Sequence, residues 1–177
     1  LSKIKGMGII GVDGHENLLP DKGIVSNYYN DKFEEVFDAI DGFIDKQLEG
    51  PAPKDPNVVI VFNGIYKILS KLSGTSKLDS IIEKIKKYEK ICVVLVEDGT
   101  KLKNYSYDTW YKNIFSQNDG LWIGKGMADQ SVFKYSNYSK DMTADIKNDI
   151  GYFVQEGTAI LGKVLDFYPS KENEDDE

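Results

Sequence analysis

The chain has 177 residues, of which 41% are hydrophobic and 29% are charged, so it can bury the core of one globular domain. Its formal net charge of −7 argues against a nucleic-acid-binding protein, because duplex binding needs a concentrated basic face. No stretch approaches the roughly 18 apolar residues of a membrane-spanning helix, and no signal peptide is recognisable, so we expect no direct membrane contact.

The first third of the sequence predicts a strand, a loop and a helix. Met7–Val12 is an apolar run that ends at Asp13, which is typical of a buried strand. A β-prone piece covers Ile24–Tyr29. Asp31 then opens a helix, and Glu34 lies three residues later, where it would complete a capping box. This helix has one apolar face with spacings of three and four, formed by Phe33, Val36, Phe37, Ile40, Ile44 and Leu48.

The middle of the sequence alternates apolar runs with amphipathic helices. Val58–Phe62 is followed by a short helical piece, Ile65–Leu72. A longer helix runs from about Lys77 to Glu89, and we expect the lysines on its outer face to be solvated. Ile91–Val96 is the second apolar run. Because both runs are apolar at consecutive positions, they predict parallel strands that are covered on both faces.

The single cysteine and the single histidine limit the chemistry that is available. Cys92 lies inside the second apolar run, which indicates a small core side chain and a reducing compartment. His15 lies in a polar loop. One thiol and one imidazole cannot supply paired metal ligands, and acidic residues cluster only on helix faces and in the tail. We therefore expect no metal site and no nucleophile–base pair.

The last third predicts shorter elements. The stretch DTWYKNIF is typical of a helix that packs an aromatic face against the core. Leu121–Gly124 predicts a short strand, and Ala128–Phe133 predicts a short helix. Tyr152–Gln155 and Thr158–Val164 flank a two-residue turn signal, Glu156-Gly157, and therefore predict a β-hairpin.

Two glycine motifs do not predict a nucleotide site. Gly6 to Gly11 match the dinucleotide-binding pattern G-x-G-x-x-G, but they lie within the predicted strand, whereas cofactor binding needs them in a turn that opens a helix. Gly124-Lys125-Gly126 superficially resembles the end of a phosphate-binding loop. No hydroxyl residue follows Lys125, and the glycine spacing is wrong, so the sequence contains no Walker A motif.

Polar residues follow three of the predicted strands, at positions Asp13, Asn63, Glu97 and Asp98. In a parallel sheet these positions share the carboxyl edge, where α/β proteins bind ligands. The four residues therefore define a possible strand-end cleft. A small Rossmann-like enzyme with a metal or a sugar-like ligand in that cleft is one hypothesis.

The order of the elements resembles the later part of an FtsK/SpoIIIE-type ATPase module. PNVVIVFNG precedes a helix as a Walker B strand does, and ICVVLVEDGTKL follows like a sensor strand. LWIGKGMADQ and GYFVQEGTAILGKVL match a late segment and the closing hairpin. More narrowly, the chain resembles the third, degenerate module of EssC/EccC, the membrane-bound motor of type VII secretion.

The resemblance implies an α/β fold. It would be a RecA/FtsK-like P-loop NTPase-type core, with a mostly parallel sheet flanked by helices and a C-terminal β-hairpin. The domain would cover residues 1–168, and the acidic residues 169–177 would form a disordered tail. Because the chain begins with Leu1, we also expect it to be part of a longer protein.

The resemblance also implies that the catalytic positions are degenerate. Asn63, followed by Gly64, stands where the family has its Walker B acid. An amide cannot supply the negative charge that holds Mg²⁺ beside a triphosphate. Glu97-Asp98 stand where the family's sensor residue is a neutral polar side chain. We therefore expect no catalytic residue and no bound ATP or Mg²⁺.

The function that the resemblance implies is recognition of a substrate or partner, or regulation of protein export, without catalysis. The implied partners are secreted proteins of the WXG100 class, other secretion components and neighbouring ATPase modules of the parent chain. The implied location is the cytoplasmic side of the cell membrane, as a soluble domain of a membrane-anchored protein. The alternative, besides the Rossmann-like enzyme, is a nucleotide-binding ATPase module whose P-loop lies outside this chain.

Overall fold

The structure is a computed structural model that describes residues 8–16, 25–49, 58–87, 91–147 and 149–163. It divides into two compact units at the junction of Phe115 and Ser116. The single domain over residues 1–168 stays a prediction. The predicted tail, residues 169–177, lies outside the described residues, as do the ends of some predicted elements, such as Tyr88 and Val164.

The first unit contains a four-stranded, wholly parallel sheet with the order β2-β1-β3-β4. Its strands are β1 (Gly8–Asp13), β2 (Asn27–Tyr29), β3 (Val58–Asn63) and β4 (Ile91–Val96). This confirms the predicted α/β class with a parallel sheet flanked by helices. The glycines of the G-x-G-x-x-G match that are described, Gly8 and Gly11, lie inside β1.

Among its described residues, this unit has five α-helices: α1 (Phe33–Glu49), α2 (Ile65–Ser70), α3 (Ser76–Lys87), α4 (Gly99–Leu102) and α5 (Thr109–Ile114). The apolar face of α1 is buried as predicted, and the rings of Phe37 and Phe62 lie 5.6 Å apart, which places α1 on the sheet face that carries Phe62. Leu48 is 39% exposed, so its predicted burial is wrong. It lies in the last turn of α1. Trp110 and Tyr111 of α5 are buried, as the aromatic pattern predicts.

Ion pairs join α1 to α3. Lys77 bridges Glu34 and Asp38, and Lys84 bridges Asp41 and Asp45, with N–O distances between 2.6 and 3.0 Å. The prediction of a merely solvated lysine face is therefore wrong for Lys84. The capping box is also wrong, because α1 begins at Phe33 and Glu34 accepts a 2.7 Å hydrogen bond from the backbone N–H of Ser73.

Strand β4 is covered on one face instead of two. Cys92, Val94 and Val96 alternate along it and are exposed, so the predicted burial of Cys92 is wrong. β4 is the outermost strand of the described sheet, and α1 packs on the opposite face, where Leu95 lies beside Phe62. An unbroken apolar run cannot distinguish a strand that is covered twice from one that is covered once.

The second unit contains a three-stranded antiparallel sheet of β5 (Gly120–Ile123), β6 (Ile150–Gln155) and β7 (Thr158–Lys163). The predicted hairpin is confirmed, with φ of 49° at Glu156 and 73° at Gly157. Two positive φ values are typical of a type I′ turn, which matches the twist of the strands it joins. One sheet face packs into a small core with Met127, Met142, Tyr152, Val154 and Ala159.

The predicted helix over Ala128–Phe133 is wrong, because the segment forms turns. The side-chain carbonyl of Gln130 accepts from the backbone N–H groups of Val132 and Phe133, at 2.6 and 2.7 Å. Its amide nitrogen donates to the carbonyl of Phe133 at 3.0 Å. The side chain thus replaces the backbone bonds of a helix. Within the described ranges, no helix is both long enough and apolar enough to cross a membrane.

The α1–α3 ion pairs should contribute measurably to stability. Replacing Lys84 by Met keeps an unbranched apolar side chain but leaves Asp41 and Asp45 without their shared cation. Because all three groups are partly solvated, we expect a small loss of stability, which shrinks in high salt. Urea unfolding at low and high ionic strength measures it. Lys87→Met, at an exposed position of α3, is the matched control, and an equal loss in both variants would contradict the assignment.

Candidate functional site at the strand ends

The candidate site lies at the carboxyl edge of the parallel sheet. The strand register places Asp13 beside Asn63, and Asn63 beside Val96. Asp13 is fully buried and Asn63 is 7% exposed, which makes them the buried polar pair of this unit among the described residues. The sequence places these residues at strand ends, and the parallel pairing brings them together.

A hydrogen-bond network surrounds the Asp13 carboxylate. The amide Nδ2 of Asn63 donates to Oδ1 at 2.7 Å, and the backbone N–H of His15 donates to the same oxygen at 2.9 Å. The hydroxyl of Tyr28, on β2, donates to Oδ2 at 2.9 Å. A buried carboxylate needs such donors, because it has lost the hydrogen bonds of water. The network therefore ties three strand ends and the following loop to one side chain.

The titration of the Tyr28 hydroxyl is shifted by its surroundings in this network. Desolvation, the hydrogen bond to Asp13 and the negative charges of Asp13 and Glu16 raise the pKa of Tyr28 from 10.0 to about 12. All of these effects favour the neutral phenol, which is the form that can donate. Tyr28 therefore remains a donor to Asp13 well above neutral pH.

The loop after β1 packs on the start of α2. The backbone N–H of Gly14 donates to the carbonyl of Asn63 at 2.8 Å. Gly64 has φ of +72°, a conformation that glycine adopts at little cost, and a methyl group there would overlap the imidazole of His15. The carbonyl of Gly64 would likewise meet a side chain on Gly14. The two glycines thus permit a close approach that covers this part of the strand-end edge.

Glu97 and Asp98 act as helix caps. Glu97 Oε2 accepts from the N–H of Tyr66, in the first turn of α2, at 2.8 Å. Asp98 Oδ1 accepts from the N–H and the hydroxyl of Thr100, at 2.8 and 2.6 Å, and so caps α4. The bonds from Thr100 lower the pKa of Asp98. Of the four residues of the predicted cleft, the structure therefore joins Asp13 to Asn63 and engages the other two in caps.

The arrangement offers hydrogen-bond donors toward Asp13 where a cation-binding site would offer carboxylates. The N–H groups of Asn63 and His15 and the O–H group of Tyr28 point at Asp13. Among the described residues, no group of three or more His, Cys, Asp or Glu side chains is placed to hold a metal ion. The hydrogen bonds of this site therefore hold its own side chains in place.

Two members of this site have no counterpart among the sequence predictions. The local patterns place His15 in a polar loop and Tyr28 in a β-prone piece, and they predict no contact for either. The register of β2 on β1, which sets Tyr28 beside Gly11, is not encoded by any local pattern. The nearest signal for His15 is Gly64, since a glycine after a polar strand end can mark a close approach of another group.

Neither a protein family nor a curated protein matches the sequence. Solved structures do match. The cytoplasmic domain of EssC aligns with a TM-score of 0.63 at 14% identity, over 88% of this chain and 33% of that one. EssC ATPases 2 and 3 from Geobacillus thermodenitrificans align with a TM-score of 0.66 at 16% identity, over 88% and 30%.

A third solved structure is Thermomonospora curvata EccC, ATPases 2 and 3, in complex with a signal sequence peptide. It aligns with a TM-score of 0.64 at 14% identity, over 92% of this chain and 31% of that one. The chain thus spans about a third of the length of each of these solved chains. It has the fold of the EssC and EccC cytoplasmic ATPase domains, as the order of its elements predicts.

Asn63→Asp should destabilise the protein, because it places a second carboxylate 2.7 Å from an oxygen of buried Asp13. Like charges so close raise one folded-state pKa, so stability is lost at neutral pH and recovered as pH falls through that raised pKa, with recovery complete near pH 4. We expect a loss of about 3 kcal/mol at neutral pH, measured by urea unfolding. Asn113→Asp is the matched control, since its amide oxygen already accepts from Lys86 and an acid there gains an ion pair. Equal losses in both variants would disprove the argument.

Tyr28→Phe should remove both a donor and a pH dependence. At neutral pH, loss of the bond to Asp13 should cost about 1–2 kcal/mol. The folded-state pKa of Tyr28 is raised, so its contribution is complete below pH 10 and is lost as pH rises toward 12. The difference between the wild type and Tyr28→Phe should therefore shrink over that alkaline range in urea unfolding. Tyr29→Phe, on the same strand, is the control, and a constant difference would contradict the assignment.

Proposed function

We propose that the chain is a non-catalytic module of a type VII secretion motor, which recognises a substrate or partner or regulates export. The observation that carries this proposal is the bond from the Asn63 amide to the buried Asp13 carboxylate at the carboxyl edge of the sheet. In the resembling ATPases an acid at the position of Asn63 serves Mg²⁺. In this chain the amide of Asn63 stands at that position and already donates a hydrogen bond to Asp13.

Hydrolysis of ATP needs a carboxylate that is free to hold Mg²⁺ and to position the attacking water. The Asn63 amide turns its N–H toward Asp13, and a donor repels a cation. Nearby, Glu97 binds the N–H of Tyr66 at the start of α2, so a carboxylate already occupies that end of the helix. His15 packs against Gly64, the residue that follows Asn63. These contacts support a scaffold that has kept its sheet and replaced its chemistry.

The fold supports the assignment to a secretion motor. The matching structures are parts of EssC and EccC, one of which is named as a cytoplasmic domain and two as pairs of ATPases. We therefore propose that this chain works beside further ATPase modules of a parent protein. It would lie on the cytoplasmic side of the cell membrane, as a soluble domain of a membrane-anchored protein.

A peptide is the proposed partner. One of the matching proteins was solved with a signal sequence peptide. In this chain, the outer face of the β5–β6–β7 sheet carries a cross-strand row of apolar side chains, Leu121, Phe153 and Ile160, which are 40%, 42% and 56% exposed. Contiguous exposed apolar side chains mark interaction sites. We propose that they contact the secretion signal of a WXG100-type protein.

Titration calorimetry with MgATP and with a WXG100 signal peptide from the source organism tests the proposal. We expect no MgATP turnover and measurable peptide binding. Tight, Mg²⁺-dependent binding of ATP with turnover would disprove the non-catalytic assignment and favour an ATPase module. If the chain bound neither MgATP nor the peptide, the recognition role would be disproved.

Ile160→Ser tests the surface. Removing an exposed apolar anchor should weaken peptide binding about tenfold, since that needs only about 1.4 kcal/mol. Fluorescence anisotropy of a labelled peptide measures the change. Tyr138→Ser is the control, because Tyr138 is exposed in the same unit but belongs to none of the three strands. Equal affinities for Ile160→Ser and the wild type would assign binding to another surface.

A further inference from the structure

Asn63 is the one asparagine of the sequence that is followed by glycine. Because glycine has no side chain, its backbone nitrogen is unhindered and can approach the preceding side-chain amide more easily than that of any other residue. We propose that Asn63-Gly64 is a deamidation site, that the contacts closing the strand-end site protect it, and that its conversion opens that site. This proposal is independent of whether the chain acts in secretion.

The reaction needs only water. The deprotonated backbone nitrogen of Gly64 attacks Cγ of Asn63, forming a five-membered imide ring, and the Cγ–Nδ2 bond breaks to release ammonia. Water then cleaves one of the two imide C–N bonds. One cleavage leaves an ordinary aspartyl residue in an intact backbone, and the other leaves an isoaspartyl residue. An amide and water become an acid and ammonia, and no oxidant or reductant takes part.

Both reacting groups are held in the folded protein. The leaving nitrogen, Nδ2 of Asn63, donates to Asp13 at 2.7 Å. The attacking nitrogen, that of Gly64, donates its proton to the carbonyl of Val96 at 2.8 Å. The carbonyl of Asn63 accepts from Gly14 at 2.8 Å, and the Asn63 side chain is 7% exposed. The attack therefore requires the end of β3 to separate from the end of β1, from the Gly14 backbone and from the end of β4. Such local opening has its own free energy, smaller than that of global unfolding.

After deamidation of Asn63, the strand ends should not close again into the original hydrogen-bond network. The new carboxylate at position 63 cannot donate to Asp13, and two negative charges would share the buried edge. An isoaspartyl residue would add one atom to the backbone of β3 at the position paired with Asp13 and Val96. Either product removes the central bond of the network. The modified protein should therefore stay open at the strand ends, with the loop that carries His15 released from Gly64.

Peptide mapping by mass spectrometry tests the proposal on the intact chain. The protein is incubated at mildly alkaline pH, folded and in urea, and the acid formed at each asparagine is followed over time. We expect conversion at Asn63 alone in the folded protein, at least about tenfold slower than in urea, because a factor of ten needs about 1.4 kcal/mol of opening free energy. The asparagines that are not followed by glycine serve as internal references.

Tyr28→Phe separates protection by this network from general protection by folding. It removes one donor to Asp13 without touching Asn63 or Gly64, so conversion should accelerate several-fold in the folded variant and remain unchanged in urea. Tyr29→Phe should leave the folded rate unchanged. Equal rates for folded and unfolded wild type would overturn the protection, and an unaltered rate in Tyr28→Phe would overturn the role of the network. Purified converted protein that unfolds at the same urea concentration as the unconverted form would overturn the proposed opening.

Discussion

The buried carboxylate of Asp13 is the constraint on which the first unit depends. A fully buried acid must receive hydrogen bonds, and its donors here come from β2, from the end of β3 and from the loop after β1. Its position decides which residue can follow the neighbouring strand, because a second acid at position 63 would face it across a hydrogen-bond distance. An amide satisfies that geometry without a cation.

The need to satisfy buried polar groups also explains the two glycines and the Glu97 cap that lie near the Asn63 amide. Gly14 and Gly64 let the loop after β1 approach the start of α2, and the backbone of that loop supplies a donor to Asp13. Glu97 takes the N–H of Tyr66 that an anion could otherwise bind. Each of these residues thus makes an internal contact at the strand ends. The site is stable because it is occupied by the protein itself.

The helices and strands can be predicted from the sequence more fully than the packing and side-chain contacts around them. The apolar spacing on α1, the two strand runs and the Glu156-Gly157 hairpin are local patterns, and the structure confirms them. Which faces are covered depends on strand order, so the exposure of Cys92 could not be read from its apolar run. Tyr28 joins the site through register, and Gln130 replaces a helix with side-chain bonds, for which no local signal exists.

The contacts of Asn63 show what the fold requires at this position. A position that the fold did not constrain would tolerate any residue of similar size, with its polar groups exposed to water. Asn63 instead is buried and donates at 2.7 Å to the Asp13 carboxylate without adding a charge. The amide is therefore required by the fold of the strand ends. It follows that an acid at this position would destabilise the strand ends, and that the closed edge is the state this sequence stabilises.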